Sequence, residues 1–456
     1  MIVPQRRLLV SVGLVVLPLA AIGGLVSGAA VPAGIVVAGL FLLVLVDAAA
    51  ACRTLDGLEV ESPGVVRLYK GREGEIEIRL RNSRPNNRPV RLGLSLPPHF
   101  QSSHEFLTAR MNKMESLRLN WPCTAGRRGR YFLDRCYLES SSPAGFWSGR
   151  GARPLDTEIR VYPNLLNERK GLAAFFLNRN WYGLHAQRPV GKGKEFEKLR
   201  DYAPGDSYED IYWKTTAKRG RPVTKLFQIE RTQEVYLVID GSRLSAKPIS
   251  LIATGKGTNL HQPETGAGET VLERFITATL IMALAAQKQG DHFGIVSFAD
   301  RVDHFVRAGN GRNHFSTCRD ILFTLEPQIV APDFGDLFSF IGTRMRRRAL
   351  LIILTSLDDP ALSEDFVRNI DLICRRHVVL VNMLRPRFAR PLFSGPDVNS
   401  LDDLYRSLGG HIQWSELQER ERVLRKRGVG LTLLDNERMC PELVSKYMEV
   451  KQRQIL

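Results

Sequence analysis

Apolar residues dominate the start of the chain in two long, nearly uncharged runs. They extend from Leu8 to Ala29 and from Val31 to Ala51, and a short loop of small residues separates them. Each run has about the 20 residues that an α-helix needs to cross roughly 30 Å of hydrocarbon. The pattern predicts a transmembrane helical hairpin within residues 1–55, with helices at about 8–29 and 31–51.

Charges at the ends of these runs indicate an orientation. Arg6 and Arg7 precede the first run and Arg53 follows the second, whereas the connecting loop is uncharged. Because positive charge stays on the cytoplasmic side, we expect a multi-pass protein of the inner membrane whose soluble body faces the cytoplasm. A cleaved signal peptide is the alternative for the first run, since small residues occur at 27–30. Asp47, near the end of the second run, is expected close to the lipid headgroups.

Residues 56–165 alternate between apolar and polar positions. The alternation is clear from Glu75 to Arg81 and again from Val90 to Leu96, and Asn, Pro and Ser fill the segment between them. An alternating pattern is typical of strands with one buried face, and these residue types are typical of turns. The pattern predicts a small β-sandwich domain.

From residue 235 to residue 456 short apolar runs alternate with helical patterns. The runs are Val235 to Ile239, Phe293 to Phe298, Leu350 to Leu354, Val378 to Val381 and Val429 to Leu434. Long helical patterns such as 269–289 and 362–376 separate them. Buried strands that alternate with helices predict an α/β domain with a mainly parallel sheet and helices on both faces.

Composition and charge narrow the classes of function. The 456 residues, 44% of them hydrophobic, suffice for two soluble domains beside the hairpin. The six cysteines lack CxxC spacing and nearby histidines, which argues against a zinc site and favours reduced thiols. The net charge is +16, but stacking aromatics do not interleave the basic clusters. No nucleic-acid partner is therefore expected, and attraction to an anionic membrane surface is the better interpretation, with ordinary solvated helix faces as the alternative.

Acids, bases and aromatics are densest from Gly193 to Lys218, in the sequence GKEFEKLRDYAPGDSYEDIYWKTTAK. This segment resembles the signature of the bacterial domain-of-unknown-function 58 family. The resemblance implies a von Willebrand factor type A-like fold for residues 235–456, and residues 166–234 then form the signature segment that links the two domains. Glu209 and Tyr212 depart from the family pattern, which has Arg and Asp there, so the geometry or partner of those two positions differs.

The resemblance also implies a place for a metal ion. Type A domains often bind Mg²⁺ with oxygen ligands that follow the first strand, where this chain has Asp240 and Ser242, and Asp358 could complete the set. Leu244 offers no oxygen where a second Ser is expected, and the segment 331–336 has no Thr. We expect Asp240 to organise a loop without metal. Mg²⁺ is the disfavoured alternative, and no other cofactor is expected.

Seven residues of the signature segment are candidates for partner binding or for a structural clamp. They are Glu195, Arg200, Tyr202, Gly205, Asp206, Trp213 and Lys214. The four charged members could form a buried polar network with the two aromatic rings packed beside it, and direct contact with a partner is an equal alternative. We expect Trp213 to be structural, and Asp206 and Lys214 to affect binding more than stability.

Motifs for catalysis are missing from the sequence. His185 and His292 have no nucleophile at a recognisable spacing, and the glycines near 191–194 lack the context of a phosphate-binding loop. We therefore expect a non-enzymatic binding or adaptor protein. The resemblance implies a MoxR-type AAA+ ATPase as its partner in the assembly or maturation of other proteins. A structural scaffold of a cell-envelope complex, without ATPase or metal, is the alternative.

Overall fold

The computed structural model describes most of the chain. The described residues are 1–25, 29–84, 87–112, 114–166, 168, 190–203, 207–228, 233–249, 269–386, 388–392, 394 and 400–453, without the side chains of 88, 190–198, 210 and 226–228. The residues group into two compact units, the first spanning Met1–Asn164 and the second running from Leu165 onward.

Two apolar helices follow a short strand, β1 (Ile2–Pro4), at the start of the first unit. They are α1 (Arg6–Leu25), which contains a π-helical turn, and α2 (Ala30–Ala51). Both are long and apolar enough to cross a membrane, with mean hydropathies of 2.5 and 2.4. The two predicted helices are therefore present. The first begins two residues before the apolar run in the sequence, and residues 26–28 of that run lie outside the described residues.

Nine further strands form the β-rich remainder of the first unit. They are β2 (Leu58–Glu61), β3 (Val65–Tyr69), β4 (Glu73–Asn82), β5 (Arg88–Leu94), β6 (Phe100–Gln101), β7 (Leu107–Met111), β8 (Ser116–Ala125), β9 (Gly129–Ser141) and β10 (Trp147–Tyr162). One sheet has the order β1-β10-β9-β5-β7, with β3 paired beside β10, and the other has the order β2-β4-β8-β6. On β4 the alternate residues Ile76, Ile78 and Leu80 are fully buried. Residues of both sheets share one apolar core, which makes this a β-sandwich.

The end of α2 is fastened to the sandwich through Asp47. This carboxylate is only 4% exposed and accepts hydrogen bonds from Ser142 Oγ at 2.6 Å, the Ala144 amide at 3.0 Å and the Phe146 amide at 3.1 Å. The indole of Trp147 also donates to the Val44 carbonyl at 3.1 Å. A position of Asp47 near the lipid headgroups stays a prediction. The sequence does not show that a turn of the sandwich supplies hydrogen-bond donors for this carboxylate.

Glycines on β10 allow the chain after α2 to lie close against the sheet. A Cβ at Gly149 would come within 2.4 Å of Thr54 Oγ1, and one at Gly151 within 2.9 Å of the Leu55 side chain. At the other end of the hairpin, β1 pairs antiparallel with the same strand β10. Both ends of the helical hairpin are therefore attached to the sandwich.

The second unit contains a two-stranded hairpin and an α/β layer structure. The hairpin pairs β11 (Val190–Asp201) with β12 (Val223–Gln228) antiparallel, and a helix, α3 (Trp213–Arg219), lies between the two strands in sequence. The larger sheet contains β13 (Glu234–Asp240), β14 (His292–Phe298), β15 (Val302–Gly309), β16 (Leu350–Leu354), β17 (Val378–Leu384) and β18 (Gly430–Leu434). The remaining helices are α4 (Val271–Lys288), α5 (Arg312–Leu322), α6 (Phe334–Arg344), α7 (Pro360–Asn369), α8 (Asp371–Cys374), α9 (Leu401–Lys426) and α10 (Met439–Gln452).

The larger sheet is mixed, with the order β15-β14-β13-β16-β17-β18. The pairs β14–β13, β13–β16, β16–β17 and β17–β18 are parallel, whereas β15 pairs antiparallel with β14. The sequence expectation of a mainly parallel sheet omitted β15. Only residues 299–301 separate β14 from β15, and so short a connection permits a hairpin but no parallel crossover.

Both faces of this sheet are covered. Along β13, Val235, Leu237 and Ile239 belong to a core shared with α4 and α10. Tyr236 and Val238 belong to the opposite core, shared with α6, α7 and α9. If the strands are counted from β13, the sheet order is 3-2-1-4-5-6, and in such sheets ligands bind where the order reverses, here at the carboxyl ends of β13 and β16.

Candidate functional site

The carboxyl end of β13 carries a fully buried aspartate. Asp240 Oδ1 accepts the Ser242 amide at 2.9 Å, and Oδ2 accepts the Thr355 hydroxyl, which follows β16, at 2.5 Å. Burial raises the pKa of the Asp240 carboxyl above its ordinary value, although hydrogen bonds from Ser242 and Thr355 and the charge of Lys247 act in the opposite direction. Asp240 thus joins the loops that follow two adjacent strands.

Asp358 lies in the second of these loops and already has a cationic partner. Its Oδ2 accepts Lys247 Nζ at 2.7 Å, and its Oδ1 accepts the Ser356 hydroxyl at 2.6 Å. Burial acts to raise the pKa of Asp358, but the hydrogen bonds from Lys247 and Ser356 outweigh it and hold the pKa below its ordinary value. An ammonium group therefore neutralises the carboxylate that could have completed a metal site.

The arrangement around Asp240 does not fit a Mg²⁺ site. Leu244 is buried and brings no oxygen, the Thr355 hydroxyl donates a hydrogen bond to the Asp240 carboxylate, and Lys247 pairs with Asp358. Among the described residues no three His, Cys, Asp or Glu side chains lie together as a metal-binding group. Ser242 Oγ accepts the Leu244 amide at 3.3 Å, which is a loop-stabilising contact. Weak or absent Mg²⁺ binding remains a prediction.

The signature segment presents an exposed aromatic surface. Trp213, the first residue of α3, is 67% exposed, and Tyr208 is 76% exposed. The Tyr202 and Tyr208 rings stack with centroids 6.0 Å apart, and Lys225 Nζ lies 4.6 Å from the centre of the Tyr212 ring. The expectation that Trp213 is packed structurally was wrong, because an aromatic residue in a segment rich in charges gives no sign of which way its ring faces.

Two charged members of the proposed buried polar network, Arg200 and Lys214, lie within the described residues. Arg200 and Lys214 are both exposed. Gly205, Asp206 and the side chain of Glu195 lie outside the described residues. Backbone contacts hold the segment together: the Tyr202 amide donates to the Pro222 carbonyl at 2.9 Å, and the Tyr212 amide to the Val223 carbonyl at 2.8 Å.

Sequence reasoning missed Lys247, Thr355 and Tyr208. Thr355 directly follows β16, and parallel strands that are neighbours bring their carboxyl ends together, so the strand order could have paired it with Asp240. Lys247 stands 111 residues before Asp358, and only the folded loops show that they meet. Tyr208 is a turn residue whose exposure follows from its position in a short 3₁₀ turn between the strands of the hairpin.

Comparisons with known proteins give similarities to parts of the chain. A VWA domain of SpRpn10 is 9% identical over 45% of this chain and 89% of that one, with a TM-score of 0.26. An aerotolerance-related membrane protein from Bacteroides fragilis is 13% identical over 48% of this chain and 98% of that one, with a TM-score of 0.26. The PapD-like domain 7 of human CEP192 is 12% identical over 24% of this chain and 87% of that one, with a TM-score of 0.19. TM-scores this low carry no argument about the site or its function. No curated protein matches the chain.

The family comparison is more direct. Residues 198–250 and 261–392 match the family described as "Protein of unknown function DUF58", and this match includes residues 198–234 of the signature segment, the loop at Asp240 and the loop at Asp358. It confirms the resemblance that the residues between Gly193 and Lys218 indicated. Over these residues, which make up less than half of the chain, the protein is similar to the DUF58 family.

Proposed function

We propose that this chain is a membrane-anchored, non-enzymatic binding protein whose soluble units lie on the cytoplasmic side. The two apolar helices support the anchor. Their flanking arginines, Arg6, Arg7 and Arg53, support the orientation, because positive charge is retained in the cytoplasm. The attachment of both β1 and the end of α2 to β10 supports a hairpin whose two ends share one side of the membrane.

The observation that carries the binding role is the exposed surface of α3 and the turn before it. Trp213 and Tyr208 expose large aromatic area to solvent, and Lys214, Lys218 and Arg219 on α3 are exposed beside them. Protein interfaces are enriched in aromatic residues, and exposed aromatics contribute binding energy when a partner buries them. A basic and aromatic surface suits a partner with an acidic surface.

The partner in this proposal is a MoxR-type AAA+ ATPase, which the family resemblance implies. The protein then acts as an adaptor in the assembly or maturation of other proteins, and basic clusters elsewhere on the soluble body favour the anionic membrane surface. The loop at Asp240 lies at the carboxyl ends of β13 and β16, where ligands bind in sheets of this order. Its hydrogen bonds and the Lys247–Asp358 ion pair nevertheless support a structural role for this loop.

Affinity capture from native membranes tests this proposal. The double variant Trp213→Ala, Lys214→Ala should lose capture of the ATPase while its melting temperature stays within about 2 °C of the parent, because both side chains are exposed. The control Phe106→Ala, Arg110→Ala removes one exposed aromatic and one exposed cation from the sandwich. Equal capture by both double variants would remove the α3 surface from the interface, and absence of any ATPase from the parent's capture would favour the scaffold alternative.

A further inference from the structure

A cavity of about 440 Å³ opens on the α6 face of the larger sheet, away from the loops at Asp240. It lies between β15, the start of β13 and the chain that follows α6. Four arginines line it: Arg307 from β15, and Arg344, Arg346 and Arg347 from the end of α6 and the residues after it. One acidic residue, Glu234, also lines the cavity, so the lining carries a formal charge of +3.

The floor of this arginine cavity is aromatic and is held in a fixed position. The Tyr236 ring stacks on Phe305 with centroids 6.0 Å apart and planes 11° apart. The ring has this position because β14 carries Gly294 beneath it: a Cβ there would come within 2.4 Å of Tyr236 Cε1. The Tyr236 hydroxyl accepts the Ala308 amide at 3.1 Å, which fixes the ring further.

The arginines are not neutralised within the described part of the chain. Arg307, Arg344 and Arg346 have no acidic partner there, and the guanidinium of Arg344 lies 5.9 Å from the centre of the Phe340 ring. Arg347 approaches Glu234 at 3.8 Å, but its side chain is 82% exposed, and solvent screens a pair of that kind. Guanidinium groups that line the cavity and have no acidic partner among the described residues leave their planar donor sets available to a ligand.

We propose that the arginine cavity binds the phosphate of a small organic phosphate. Guanidinium groups bind phosphate oxygens through two parallel hydrogen bonds, and several of them around one concave site favour an anion with more than one acceptor. The volume lies within the range of small-molecule sites and has room for a phosphate with a short organic group such as glycerol. A free metabolite and the headgroup of an anionic lipid both present this chemistry. This site is independent of the partner surface on α3.

Two arms of one experiment distinguish the two sources, both with the full chain in a non-ionic detergent. Isothermal titration calorimetry with glycerol 3-phosphate measures binding of the free phosphate, and native mass spectrometry with added phosphatidylglycerol counts retained lipid. The test variant is Arg307→Ala, Arg344→Ala. The matched control, Arg301→Ala, Arg348→Ala, removes two exposed arginines that do not line the cavity, one directly before β15 and one in the chain after α6.

In the arm that shows binding, we expect the affinity of the test variant to fall at least about tenfold, because each guanidinium contributes charged hydrogen bonds. The control variant should bind with the affinity of the parent. Binding of glycerol 3-phosphate with this pattern supports a free metabolite. Retention of phosphatidylglycerol alone, with the same pattern, supports a lipid headgroup. The proposal is overturned if neither ligand binds the parent, or if the control loses as much affinity as the test variant.

Discussion

Substitutions of Asp240 distinguish two roles of its carboxylate: organising a loop and binding a metal ion. In Asp240→Ala the Ser242 amide and the Thr355 hydroxyl lose their acceptor in a fully buried place. A buried donor left unsatisfied costs about 1–3 kcal/mol, so the local structure should lose about 2–6 kcal/mol. In Asp240→Asn, Oδ1 still accepts the Ser242 amide, and the Thr355 hydroxyl can rotate to accept from Nδ2. The Asn variant also removes a buried charge, so we expect it to be at least as stable as the parent at neutral pH.

The pH dependence of this difference follows from the pKa of Asp240. Burial raises the folded-state pKa above the unfolded value. The parent therefore loses stability as the pH rises through the folded pKa, because the unfolded state releases the proton first. The Asn variant has no such loss, so its advantage should be absent below about pH 4, near the unfolded pKa of an aspartate, and should grow toward neutral pH.

Hydrogen exchange of the β13 and β16 amides in the full chain measures the local opening free energy. Asp300→Asn, which removes an exposed carboxylate from the β14–β15 turn, is the matched control and should change nothing. Two results would refute the reasoning. One is an Asn variant that opens as easily as the Ala variant. The other is slower exchange of the parent in millimolar Mg²⁺ that Asp240→Asn abolishes, which would show a metal site.

Three further predictions concern other parts of the chain. Asp47→Ala should speed amide hydrogen exchange in the turn 142–146 by at least about tenfold, because two amides of this turn lose their acceptor. Unchanged exchange would contradict the attachment of α2 to the sandwich through Asp47. Asp291→Ala should lower the free energy of unfolding of the second unit in urea by about 3–5 kcal/mol, because Lys451 loses its carboxylate partner. A decrease of less than about 1 kcal/mol would contradict this role of the ion pair. In a variant whose native cysteines are replaced, the thiol that Arg348→Cys introduces lies at an exposed position and should react with a membrane-impermeant thiol reagent only after cell lysis. Labelling of this thiol in intact cells would contradict the proposed orientation.

The layout of the fold could largely be predicted from the sequence because it rests on the pattern of apolar residues. The helices α1 and α2 show as runs long enough to cross a membrane, β4 shows as an alternation with one buried face, and β13 shows as a short apolar run that is buried on both faces. The strand β15 was missed because its residues are mostly half-exposed, as on an edge strand, and do not form a continuous apolar run.

The candidate site could be predicted only in part. Asp240 and Ser242 follow a strong strand signal, so their place at the end of β13 was predictable. The Lys247–Asp358 pair was not, because it depends on how two loops fold toward each other. The orientation of Trp213 was not either, since a seven-residue helix has too few turns to define a buried face by its pattern.

Site-specific crosslinking from position 213 tests the central claim most directly. A photoreactive amino acid replaces Trp213 in the full chain, and irradiation is carried out in native membranes. A second chain carries the same group in place of Phe106, which is 51% exposed on the sandwich. The account predicts a crosslink between position 213 and a MoxR-type AAA+ ATPase, and none from position 106. No crosslink to an ATPase from position 213, or equal crosslinking from both positions, would contradict the proposal that the α3 surface binds this partner.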